Sequence, residues 1–115
     1  MLEIGERPWG KYFVIEDEAH YKLKRIEVNP GQRLSYQFHH YRQEFWTIVE
    51  GEAVVTLDDK EFDLKYGESI FIPLGSKHRI ENRGSELLVL VEVQTGTYFG
   101  EDDIVRLQDD YKREE

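Results

Sequence analysis

The sequence predicts an all-β domain, a sandwich or closed barrel of short strands. Three observations lead there. Apolar or alternating runs recur at close, even spacing, turn-forming residues separate them, and no run before the tail holds a helical period long enough for a core helix.

The runs justify the elements in order. Lys11–Ile15 and Tyr21–Val28 read as strands, and Asn29-Pro30-Gly31 ends the second. Leu34–His39 and Glu44–Glu50 flank a short turn, and Glu50-Gly51 leads into Ala53–Leu57. Asp58-Asp59 joins that run to Glu61–Leu64; Tyr66-Gly67 precedes Ser69–Ile72, and Pro73-Leu74-Gly75 precedes His78–Asn82. Arg83-Gly84 then leads to Leu87–Thr95. Gly31, Gly51, Gly67, Gly75 and Gly84 fall at these breaks, where positive φ is expected. Only the tail reads as helical, with Glu101-Asp102-Asp103 as an acidic first turn and Ile104, Leu107 and Tyr111 at helical spacing.

The 115 residues fit one domain, 1–115, without a linker, repeat or low-complexity tract. The start has neither a basic nor an apolar stretch and no run approaches a bilayer span, so the expected location is the cytoplasm, with no membrane partner. A net charge of -9, from 15 basic and 24 acidic side chains, argues against a nucleic-acid surface. A phosphorylated small molecule would need cations gathered locally in a pocket. With no cysteine, disulfides are excluded and a metal must be held by nitrogen and oxygen.

Strand alternation places Gln37 and His39 on one face, with Ser35. Glu44 opens the next strand after a short turn, and His78 arrives from a later strand. Two nitrogens and two oxygens converging inside a barrel suit a divalent ion such as Zn, Mn, Fe or Co, with positions left for water or substrate. Gln37 is alternatively a hydrogen-bonding group for substrate hydroxyls, and His40, on the opposite face, reads as a non-ligand. Leu34, Tyr36 and Phe38 would face outward as an apolar surface. Either the N-terminal strand or a second subunit must cover it, and a homodimer is the expectation.

These residues carry a resemblance. Gly31, Gln37-x-His39, Glu44 and Gly51 resemble the first cupin motif; Gly67, Pro73-x-Gly75, His78 and Asn82 match the second. The departure is Gln37, where the general pattern has histidine, and it weighs against an oxygen-activating iron cupin. Arg7-Pro8-Trp9-Gly10, the block Leu34–Trp46, the block Ile72–Asn82 and the tail Val91–Arg106 resemble the type II phosphomannose isomerase family more narrowly. In that family the domain usually forms the C-terminal part of a bifunctional mannose-6-phosphate isomerase and mannose-1-phosphate guanylyltransferase.

The resemblance implies interconversion of mannose 6-phosphate and fructose 6-phosphate through an enediol(ate), aided by the divalent metal at Gln37, His39, Glu44 and His78. Arg42, on the turn beside the metal, either anchors phosphate, stabilises the oxyanion or is simply solvated. Lys24, on the face of Ile26 and Val28, and Arg106, beyond the acidic tail, are phosphate candidates; for both the alternative is a surface ion pair. Glu92 shares a face with Leu88, Leu90 and Gln94 and is the candidate base, with a structural pair to Lys24 as its alternative. Glu101 and Asp102 read more simply as helix-start acids. The rival reading is a non-catalytic sugar- or nucleotide-sugar-binding cupin that partners a separate guanylyltransferase.

Overall fold

A computed structural model describes residues 2–110. Eleven strands are present: β1 (Glu3–Arg7), β2 (Gly10–Asp17), β3 (Tyr21–Val28), β4 (Tyr36–His39), β5 (Arg42–Glu50), β6 (Ala53–Leu57), β7 (Lys60–Leu64), β8 (Ser69–Ile72), β9 (His78–Glu81), β10 (Leu88–Gly96) and β11 (Ile104–Gln108). They form two antiparallel sheets, ordered β1-β2-β3-β10-β5-β8 and β11-β4-β9-β6-β7. No helix among the described residues is long and apolar enough to cross a membrane.

Alternation divides the interior into two ends. Along β5 the buried residues run Arg42, Glu44, Trp46 and Ile48, from charged to apolar. In register beside them, β10 contributes Gln94, Glu92 and Leu90, and β3 contributes Lys24, Ile26 and Val28. The apolar end is closed by Ile48, Leu90, Val28, Val55, Ile72 and Ile80, all buried in one cluster. The polar end is left as a pocket. Burying the apolar side chains, at roughly 1.5–3 kcal/mol each, offsets the cost of enclosing the charged ones.

The tail departs from its helical reading. Among the described residues helix is confined to one 3-10 turn, Glu101–Asp103, and Ile104–Gln108 is β11, paired antiparallel with β4. Ile104, Val105, Arg106 and Gln108 pair with the open edge of β4, with a bulge at Leu107, and this pairing decides the conformation against a weak helical spacing. Tyr111 lies outside the described residues. Leu34 also differs: it precedes β4, where alternation no longer applies, and packs against the core. Tyr36 and Phe38 are half-buried, and β1 cannot pair beside them because it belongs to the other sheet.

Two tight turns fix the registers. Asp58 and Asp59 have φ of 48° and 70° and close the β6–β7 hairpin, with Leu57 opposite Lys60. Gly51 has a φ of 80°, and a Cβ there would lie 2.6 Å from the Leu87 carbonyl oxygen. Gly84, unlike the other four glycines expected at positive φ, does not adopt it. Gly51→Ala should therefore lower unfolding stability by at least about 1–3 kcal/mol in a urea titration. Wild-type stability in that variant would show that the turn can relax.

Candidate metal centre

Glu44 sits at the charged end of β5, almost completely buried. Its neighbours two residues away share its face. Arg42 Nε donates to Glu44 Oε2 at 3.0 Å, and Trp46 Nε1 donates to Oε1 at 2.8 Å. Burial, the largest single influence, pushes the carboxyl up, but the Arg42 charge together with the two histidines and the Trp46 hydrogen bond holds it at about 2. The group is ionised without needing a proton.

The two histidines come from the opposite sheet. His39 ends β4, His78 opens β9, and their rings lie 4.9 Å apart between centroids. Ligand atoms of His39, Glu44 and His78 all fall within 4.8 Å of one another. His78 Nδ1 donates to the Ser76 carbonyl at 2.9 Å, since a carbonyl only accepts; the lone pair is therefore on Nε2. That Nε2 is buried with no hydrogen-bond partner among the described residues. His39 Nε2 accepts from Arg42 Nη2 at 2.9 Å. Burial lowers His39 to about 4 and lowers His78 as well, so both imidazoles are neutral at neutral pH. The His78 lone pair is open, whereas that of His39 becomes available to a cation when the Arg42 hydrogen bond gives way.

A divalent cation fits these residues on their own chemistry: two neutral imidazoles, one enforced carboxylate and an orphaned buried lone pair. Gln37 lies opposite His78 in the β4–β9 register and lines the same pocket, its Oε1 accepting from Ser35 Oγ at 3.0 Å. His40 is exposed.

Lys24, Arg42, Glu92 and Arg106 all line this pocket. Glu92 is buried opposite Lys24 in register and accepts from Gln94 Nε2 at 2.7 Å. Burial and then the Glu44 charge push Glu92 up to about 8, against the opposing pull of Lys24. The carboxylate partner of Lys24 is instead Glu101, at 3.7 Å. Arg106 stands opposite Gln37 in the β11–β4 register, near Asp109.

Several site residues were not visible as such in the sequence. Trp46 belongs to the site through its bond to Glu44, and the Arg42-x-Glu44-x-Trp46 alternation was the available signal. Asp103 is a clamp: its two oxygens accept the backbone N–H groups of His40 and Tyr41 at 3.0 Å each, fixing the turn that carries the site. Gly96 permits the end of β10 to approach Tyr41, where a Cβ would meet the carbonyl oxygen at 2.2 Å. Arg79 reaches the pocket while donating to the Leu34 carbonyl. Nothing in the sequence pattern marked Asp103 or Arg79.

Two facing antiparallel sheets with a His-Glu-His cluster between them define a cupin. The fold is shared with the cupin domain of Cnp3 from Schizosaccharomyces pombe, at a TM-score of 0.72 and 20% identity over 75% of this chain and 64% of that one. Residues 3–109 match the family model described as mannose-6-phosphate isomerase C-terminal, and the chain belongs to that family. It is 50% identical over 107 residues to alginate biosynthesis protein AlgA of Pseudomonas aeruginosa, covering 93% of this chain and 22% of the relative. It is 48% identical over 109 residues to mannose-1-phosphate guanylyltransferase 2 of Escherichia coli O157:H7, covering 95% and 23%. The chain thus spans less than a quarter of the length of either relative.

The buried groups predict opposite pH limbs for the metal-free protein. His39, depressed from 6.5 to about 4, withdraws stability as pH falls through that window. Glu92, raised from 4.5 to about 8, withdraws it as pH rises through its own. Melting temperature should peak at about pH 5–6.5, and Glu92→Gln should flatten the alkaline limb. A wild-type alkaline slope in that variant would remove Glu92 as its source. His78→Ala should lose bound divalent metal by elemental analysis while keeping its β-sheet circular dichroism. Full metal occupancy would exclude His78 as a ligand.

Proposed function

We propose that this cupin is a divalent-metal-dependent sugar-phosphate isomerase interconverting mannose 6-phosphate and fructose 6-phosphate. The observation that carries the reading is one pocket joining the His39–Glu44–His78 cluster to Lys24, Arg42 and Arg106, with Glu92 buried beside them. The family match supports the same substrate class.

Aldose–ketose isomerisation moves a proton between C1 and C2 through an enediol(ate). A metal held by His39, Glu44, His78 and Gln37 would supply Lewis-acid polarisation of the sugar carbonyl; Zn, Mn, Fe or Co suits the donors. Glu92 is the base of this proposal, taking the proton from one carbon and returning it to the next. Its burial gives it a basicity near neutral pH, where proton transfer is most effective. Lys24, Arg42 and Arg106 hold the phosphate and orient the sugar. Arg42 also keeps Glu44 and His39 in place through two of its nitrogens. We place this activity in the cytoplasm, in keeping with bacterial relatives named for biosynthesis, and in a homodimer.

A second reading has its own support. Because the chain corresponds to less than a quarter of a relative named as a guanylyltransferase, the domain is alternatively a sugar-phosphate or nucleotide-sugar sensor for such an enzyme. Metal-loaded protein incubated with mannose 6-phosphate should form fructose 6-phosphate, and a chelator should abolish the reaction. Binding without turnover in metal-replete protein would favour the sensor. Glu92→Gln should lower kcat by about 100-fold or more with little change in KM. Wild-type kcat in that variant would remove Glu92 as the base.

A further inference from the structure

Four basic groups line the pocket besides Arg42, and they differ in how they are held. Arg7 donates to the Glu6 carbonyl at 2.9 Å and to the Tyr12 hydroxyl at 3.3 Å. Arg79 is engaged by the Leu34 carbonyl and by the side chain and backbone of Gln108, which tie it to β11. Arg106 lies beside Asp109. Lys24 stands apart. It is buried on the inner face, 5.0 Å from the Tyr12 ring centroid, and its carboxylate partner Glu101 is 3.7 Å away, beyond hydrogen-bonding distance. Its ammonium has three donors and holds Glu101 only at ion-pair distance, with Glu92 of the neighbouring strand as a second carboxylate across from it.

Glu101 also meets Arg42. Nε and Nη2 of that guanidinium are committed to Glu44 and His39. Nη1 faces the pocket mouth, donating to the Phe99 carbonyl at 3.2 Å and to Glu101 Oε2 at 3.4 Å. The same Glu101 oxygen therefore bridges two buried cations. Its own side chain is 52% exposed, against 7% for Lys24 and 3% for Arg42. The carboxylate enters from the solvent side, and it can leave without opening the core.

We infer that Glu101 is an internal competitor for the pocket's anion site, bridging Lys24 and Arg42 until the phosphate group of a ligand displaces it. This rests on the sugar-phosphate reading above and adds a selection rule to it. A monoanionic ligand exchanges one carboxylate-like charge for another and gains little. A phosphate monoester dianion brings twice the charge and three oxygens, enough to engage the Lys24 ammonium and the Arg42 Nη1 donor that Glu101 releases. A neutral sugar has no means of displacing Glu101. Glu101 is in this sense a specificity-determining residue, and its contact with the cations is a threshold that ligands must exceed.

The probe is inorganic phosphate, titrated calorimetrically into the full chain. Glu101→Gln and Glu101→Ala should each bind it about fivefold to tenfold more tightly than wild type, the gain expected when a partly exposed competing ion pair is removed. Acetate binding, undetectable in wild type, should become measurable in both. Adding Lys24→Met should cancel the gain. Unchanged or weaker phosphate binding in both Glu101 variants overturns the inference, as does absence of phosphate binding in every form. If mannose 6-phosphate is not turned over but phosphate affinity responds as expected, the isomerase reading fails and this one stands. Turnover with no response to Glu101 overturns this one alone.

Discussion

A carboxylate enclosed by two β-sheets would ordinarily take up a proton, and Glu44 is prevented from doing so by the strand that carries it. Arg42 and Trp46 stand two residues away on either side, so the pleat aligns a guanidinium, a carboxylate and an indole N–H on one inward face. The negative charge held there requires positive company. Two neutral histidines from the opposite sheet bring lone pairs and no charge of their own. Arg42 supplies the balancing charge, so what the interior leaves unsatisfied is the His78 lone pair, the group a cation would take up.

That requirement governs the architecture around it. The ligand atoms come from both sheets, Glu44 from the six-stranded one and His39 and His78 from the five-stranded one. A cation at their centre would tie the two sheets together at the polar end of the sandwich, adding to the packing of Trp46 against His78. Glu92 answers to the same charge: it lies near Glu44 in a buried space, and the repulsion adds to burial in making its own ionisation costly. Structural support for one carboxylate thereby gives its neighbour the basicity that proton transfer uses.

Much of this was legible in the sequence, for reasons that differ by element. Tyr21–Val28, Ala53–Leu57 and Ser69–Ile72 have the bounds expected because alternation and turn residues agree there. Gln37 and His39 share a face by period 2, Glu44 and His78 are expected beside them from the spacing of the cupin motifs, and all four line or form the pocket. β1 was not anticipated, because Glu3–Arg7 carries few apolar residues and is a strand by virtue of pairing with β2. β11 was read as helical because its apolar residues satisfy both periods, and only the vacant edge of β4 decides between them. The Asp103 clamp joins residues more than sixty positions apart through backbone N–H groups, which leave no trace in side-chain patterning.

The same clamp has a consequence for the order in which the molecule matures. The turn between β4 and β5 carries His39 at its entrance and Arg42 at its exit, and the local chain leaves two of its amides waiting for Asp103. Contacts spanning such a sequence separation close late, after the local hairpins have formed. The β2–β3 and β6–β7 hairpins are local, whereas the hydrophobic end is closed across β3 and β10 by contacts of similar span, such as Leu88 opposite Val28. The polar end acquires its final geometry only when the segment after Gly96 docks. The turn that presents His39 and Arg42 therefore owes its shape to a segment of the chain that it does not adjoin.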